Sequence, residues 1–139
     1  MKLNLFKGKN NIEIFMCICS LLCFCLIIFL SSKSKLPQPI KLFFGLDKIM
    51  HCFAFGATAF TFSFWFSFEA WKEKMWNCIL FTFTVIALFG ISDEIHQYFV
   101  EGRSSSIYDW LADCLGAALA CGLRVGVNIY IKHKNEAVI

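Results

Sequence analysis

The sequence predicts an all-α protein, a four-helix transmembrane bundle forming a single domain over residues 1–139. Three observations carry that expectation. The chain is 58% hydrophobic and only 17% charged, with 17 Phe, which is more apolar surface than a soluble domain of this size can bury. The apolar residues gather into four stretches near the length that crosses a bilayer core. The lysines collect between those stretches, where they would meet lipid headgroups. A formal charge of +3 points to no nucleic-acid partner.

Residues 12–30 form the first span. They carry a single charge, Glu13, at their start and make about 28 Å of helix. A signal peptide would have a shorter apolar core and a small-x-small cleavage site, whereas this stretch ends Ile-Ile-Phe-Leu-Ser-Ser-Lys. Residues 31–48 are a connection punctuated by Pro37 and Pro39 and rich in lysine. The second span covers residues 49–68. From Phe60 to Phe68 it alternates Phe with Thr, Ser or Trp, as a strand would. A lone strand in lipid leaves its amides unpaired, so helix is expected throughout.

Trp71 and Trp76 flank a short turn and read as interfacial anchors. Residues 75–92 make the third span. Ser106-Ile-Tyr-Asp109 matches a capping box and sets the start of the fourth, residues 107–123. Arg124 lies 18 residues beyond Ser106 and is expected to snorkel to the opposite surface. Gly116, Ala120, Gly122 and Gly126 suit close helix contact. The tail from Lys132 is polar, and a mobile terminus is expected.

Four spans bring both termini to one side of the membrane. With the termini cytoplasmic, eight of the Lys and Arg residues face the cytoplasm and five face outward, as the positive-inside rule prefers. The eight cysteines (Cys17, Cys19, Cys23, Cys25, Cys52, Cys78, Cys114 and Cys121) all fall in apolar stretches, which argues against a disulfide framework. The Cys-x-Cys pairs at 17–19 and 23–25 invite a metal reading. On a helix, residues two apart point to different sides and no His stands near, so small apolar filler is expected instead.

The chemistry gathers between Ile91 and Gly116, and at the start of the second span. Asp47 with His51, Asp93 with Gln97, and Asp109 with Asp113 share a four-residue offset, which places each pair on one helix face. All three pairs fall at the same membrane rim, and Glu94, His96 and Arg103 join them from the adjoining turn and loop. Each member alone has a plainer role. Asp47 can cap a helix and Asp109 can complete the box begun by Ser106. His51 can donate to a carbonyl, Asp93, Glu94 and Arg103 can form an interfacial ion pair, and Gly102 can supply a turn. Asp113 is harder to dismiss. It lies about two turns below the cap, where a carboxylate must be paired or keep its proton.

Taken together, Asp47, Lys48, His51, Asp93, Glu94, Gln97, Arg103, Asp109 and Asp113 are expected to line a ligand-binding pocket. Arg103 has the planar fork suited to phosphate or carboxylate. Asp, Glu and His can hold a divalent cation or move a proton. No zinc signature, no nucleophile beside a base and no phosphate-cradling Gly loop is present. No catalytic residue is therefore assigned, and no metal or cofactor is expected.

At these residues the chain resembles the VanZ-like family of small bacterial membrane proteins. The matching segments are Asp47-Lys48-Ile-Met-His51-Cys-Phe-Ala-Phe, Asp93-Glu94-Ile-His-Gln97, Gly102-Arg103-Ser-Ser-Ser-Ile-Tyr-Asp109 and Ala112-Asp113-Cys-Leu-Gly116. They cover residues 47–116, half of the chain. Asp113 departs from the family pattern, which usually has Asn there, and Glu101 stands where Pro is frequent. The resemblance implies a four-span protein of the bacterial cell membrane; the family's namesake is associated with low-level resistance to the glycopeptide teicoplanin.

The leading expectation is thus a non-enzymatic envelope protein whose pocket binds a membrane lipid headgroup, an envelope precursor or a glycopeptide, and so modulates glycopeptide susceptibility. An intramembrane enzyme acting on a lipid-linked phosphate or ester, with His51 and Asp93 or Glu94 as acid and base, is the alternative; it lacks a nucleophile. A transporter is the third class. Four spans are few for a translocation path, so it would need an oligomer, for which Gly122-x-x-x-Gly126 offers a contact face.

Overall fold

A computed structural model describes residues 9–34 and 45–136. Among them it shows α-helices, one 3-10 turn and no strand. Helix α1 (Asn11–Ser31) opens on a capping box: Asn10 Oδ1 accepts from the Glu13 amide at 2.8 Å, and Glu13 Oε2 accepts from the Asn10 amide at 3.0 Å. Glu13, the one charge of the first span, therefore fixes where the helix starts. The polar lead before residue 9 and the Pro37–Pro39 connection lie outside the described residues.

Helix α2 (Leu46–Phe62) starts from Gly45, whose φ of 95° is a backbone conformation glycine tolerates. It begins earlier than expected and stops six residues short of Phe68. Ser63–Trp65 tightens into a 3-10 turn and Phe66 is extended. The hydroxyls of Thr61 and Ser63 donate back to the carbonyls of Ala57 and Phe60, and Ser67 caps the next helix through the Ala70 amide. That capping residue is what ends the continuous span. Helix and 3-10 turn together still cover roughly 31 Å, a full bilayer core.

Helix α3 (Phe68–Glu73) is a short corner, and Lys74 breaks the chain before α4 (Met75–Phe99). Helix α4 runs seven residues past the expected end at 92, so Asp93, Glu94, His96 and Gln97 are helical and not part of a turn. Helix α5 (Ile107–Glu136) runs well beyond residue 123, making the segment from Lys132 to Glu136 helical as well. Helices α1, α4 and α5 are each long and apolar enough to cross a membrane. Large apolar side chains such as Phe53, Trp76, Leu80 and Leu115 stand exposed around the bundle, the surface that lipid covers.

Two expectations at the far rim are corrected. Arg124 does not snorkel to the surface; it is 2% exposed, with its guanidinium 3.9 Å from the Phe64 ring centroid and 5.6 Å from that of Trp71. Trp71 is buried too, and its indole N–H donates to the Ser63 carbonyl at 3.0 Å. The bent end of α2 and helix α3 fold over Arg124, so ring faces take the place of headgroup water. Trp76 alone of the two tryptophans faces outward.

Helices α2 and α5 run parallel and pack most extensively. A Cβ on Gly116 would overlap the carbonyl of Cys52, and one on Gly56 would stand 3.2 Å from the Gly116 carbonyl. The core beside this seam is Phe55, Ala59, Ile86, Ala117 and Ala120. Gly122 and Gly126 face open space instead.

Gly116→Ala should therefore split the α2–α5 seam and lower stability by about 1–3 kcal/mol, read as a fall in the thermal midpoint of the detergent-purified chain. Gly122→Ala should leave that midpoint in place.

Candidate functional site

The parallel start of α2 and α5 sets the register of the site. Lys48 Nζ donates to Asp109 Oδ1 at 2.9 Å, and one turn deeper His51 Nδ1 lies 2.9 Å from Asp113 Oδ1. The ion pairs thus cross between helices, where the four-residue offsets pointed along them. Asp47 turns outward with its side chain 57% exposed and holds the same lysine at 2.9 Å. Of the three four-residue pairs, Asp93–Gln97 is bonded within its own helix, Gln97 Nε2 donating to Asp93 Oδ2 at 2.7 Å.

Helix α4 supplies the third wall. Glu94 Oε2 accepts from the Ser106 amide at 2.6 Å. In a capping box residue 109 would take that amide. Here Glu94 takes it from another helix, the Ser106 hydroxyl accepts from the Tyr108 amide, and Asp109 is released to face Lys48. The other oxygen of Glu94, Oε1, is buried with no protein partner, as is Asp113 Oδ2. Buried carboxylate oxygens are costly to leave unpaired, which marks the floor of the site as unfinished.

Space for Asp113 comes from a residue the sequence did not single out. A Cβ on Gly90 would stand 3.0 Å from Asp113 Oδ2 and 3.1 Å from Trp110 Cδ1. A glycine one turn ahead of Asp93 in an apolar span was the available signal. Trp110 also went unremarked; its indole N–H donates to the Ala87 carbonyl at 3.0 Å, clamping α5 to α4.

Arg103 takes a different position from the one its fork suggested. Its Nη2 donates to the Leu30 carbonyl at 2.6 Å, closing the end of α1. Gly102, at φ 81°, supplies the turn that brings it there. His96 likewise faces α1, with Nε2 3.0 Å from the Ser32 hydroxyl. These two residues attach α1 to the rim, while Lys48, His51, Asp93, Glu94, Gln97, Asp109 and Asp113 face one another among α2, α4 and α5.

Beside Glu94, between α4 and α5, opens a groove of about 350 Å³ walled by Ile91, Ile95, Ile107 and Trp110, with Ser106 at its head. Its isoleucines are exposed and continue the lipid-facing surface.

The VanZ/LLP1 family model matches residues 6–128. This chain belongs to the VanZ/LLP1 family. No curated protein and no solved structure matches it. The match takes in every residue of the site and also α1 and Arg124, so the family pattern spans both rims of the bundle. With the long apolar helices, it makes this VanZ/LLP1 chain a membrane protein.

With Asp113 ionised, the His51 ring donates through Nδ1 and keeps its lone pair on Nε2. Nitrogen chemical shifts of the His51 ring at neutral-ring pH should report the Nδ1–H tautomer. Asp113→Ala should move the ring toward the Nε2–H form, and an unchanged tautomer would show that Asp113 does not orient it.

Proposed function

We propose that this VanZ/LLP1 protein is a non-enzymatic binding protein of the bacterial cell membrane. It holds the polar head of an envelope lipid or lipid-linked precursor at the outward rim of the bilayer, with both termini cytoplasmic, and thereby lowers susceptibility to glycopeptides of the teicoplanin type. The observation that carries this reading is Glu94: a buried carboxylate with one oxygen lacking a protein partner, at the polar end of an apolar groove open to lipid. An acyl or prenyl chain fits the isoleucine walls by the same apolar contact that bulk lipid makes. A head with hydroxyl, amide or ammonium donors completes the carboxylates.

The site also contains a base-like element, His51 oriented by Asp113, which is what the enzyme alternative would use. No Ser, Thr or Cys is hydrogen-bonded to that imidazole among the described residues, so binding accounts for the arrangement better than turnover.

Lipids that co-purify with the chain in mild detergent, quantified by mass spectrometry against bulk membrane, test the reading. One lipid class should be enriched by the wild type. Glu94→Gln should reduce that enrichment about 10-fold or more, as expected for losing a charge-assisted hydrogen bond, and Ile95→Trp should block the groove with the same result. Expression in a glycopeptide-susceptible host should raise teicoplanin tolerance for the wild type and not for Glu94→Gln at equal membrane abundance. Equal lipid profiles for all three proteins and the bulk membrane would refute the proposal.

A further inference from the structure

We propose that His51, Glu94 and Asp109 form a binding site for a divalent cation of the Zn²⁺ or Mn²⁺ kind, through which the pocket takes the phosphate of a lipid head. The inference deepens the reading of the same pocket given above and reverses the expectation of a metal-free site. One donor atom from each of these three residues lies within 4.8 Å of the other two, and the three come from α2, α4 and α5. Metal–donor bonds of about 2.0–2.2 Å need the donors somewhat closer than that, a closure of about 1 Å that side-chain rotation supplies.

The surroundings prepare each ligand. His51 Nδ1 is engaged by Asp113 Oδ1 at 2.9 Å; with Asp113 ionised and the ring neutral, Nδ1 donates and Nε2 keeps the lone pair a metal needs. A carboxylate behind a histidine is the usual outer partner of a metal-bound imidazole. Glu94 is held by the Ser106 amide through Oε2, while its buried Oε1 has no partner. Asp109 gives Oδ1 to Lys48 and has a second oxygen to offer.

Charge argues the same way. Asp93, Glu94, Asp109 and Asp113 are all buried, and the cationic groups hydrogen-bonded to them are Lys48 and, when protonated, His51. A metal ligand His51 is neutral, so among the described residues the four carboxylates then face one ammonium. Carboxyl groups buried in such excess keep protons or take up a counter-charge, and a divalent cation is one that two of them and an imidazole can share. One imidazole with two carboxylates suits Zn²⁺ or Mn²⁺ better than thiophilic ions or an all-oxygen Ca²⁺ site. Three protein ligands leave coordination positions open. Bare carboxylates repel a lipid phosphate; a divalent cation between them attracts it, and Lys48 stands beside the open side.

The test uses the full chain, purified in detergent and stripped of metal. Titration with Mn²⁺, followed by loss of the free-ion electron paramagnetic resonance signal, should show one site per chain. Pulsed measurements should show coupling to an imidazole nitrogen, and Zn²⁺ should displace the ion. Glu94→Gln and His51→Gln should weaken Mn²⁺ binding about 10-fold or more, and Glu73→Gln, exposed at the opposite rim, should not, with helix content checked by circular dichroism. The nitrogen coupling in the wild type decides the matter even if a variant fails to fold. No stoichiometric binding of either ion, bound Mn²⁺ without nitrogen coupling, or unchanged binding in a folded Glu94→Gln would each overturn the proposal. Lipid enrichment that persists in chelator, with no metal bound, overturns the cation and leaves the lipid-head reading standing. Mn²⁺ bound with nitrogen coupling and no lipid enrichment supports the cation and overturns the lipid-head reading.

Discussion

The bare Cα of Gly116 against the carbonyl of Cys52 sets the distance between α2 and α5, and the site depends on that distance. Because the two helices run parallel from the same rim, a close approach at this level fixes which residues meet above it. His51 comes opposite Asp113 and Lys48 opposite Asp109. Any wider spacing would separate both pairs at once and leave Asp113, fully buried at 0% exposure, without a partner. Glycine pairs allow such contact in membranes because no apolar driving force distinguishes helix from lipid, so backbone proximity must come from small residues.

The bundle buries charge at both ends and uses a different solution at each. At the rim where α2 and α5 begin, acidic groups are met by hydrogen bonds across three helices, and Glu94 substitutes for the box partner that α5 would otherwise supply from its own first turn. At the opposite rim, Arg124 rests on the rings of Phe64 and Trp71. Helix α1 is attached to both. Arg103 and His96 hold its end, and Lys9 donates to the carbonyls of Phe64 and Trp65 near its start. The result is a polar cluster whose walls are clamped to α1 by side chains at both rims.

The polar floor and the apolar groove meet at Glu94, and the proposal of an amphiphilic ligand rests on that junction. On that proposal the ligand arrives laterally from the bilayer, with its head drawn toward the carboxylates and its tail never leaving an apolar medium. Among the described residues, the core beside the seam is filled by Phe55, Ala59, Ile86, Ala117 and Ala120.

Much of this was legible before any coordinates. Composition and span length determined an all-helical membrane bundle, because a bilayer admits few other ways to satisfy the backbone. The polar residues between Ile91 and Gly116, with Asp47, Lys48 and His51, identified the rim where chemistry gathers, since charge beside lipid is too costly to be incidental. Pairing was a different matter. Sequence spacing reports neighbours on one helix, so it joined Asp47 to His51 and Asp109 to Asp113, whereas His51 meets Asp113 and Lys48 meets Asp109 across the seam. It could not reveal that Gly90 makes room for Asp113, that Arg103 serves α1, or that Arg124 is enclosed by rings. Each of those depends on which helix faces which, and at what depth, and only tertiary packing decides that.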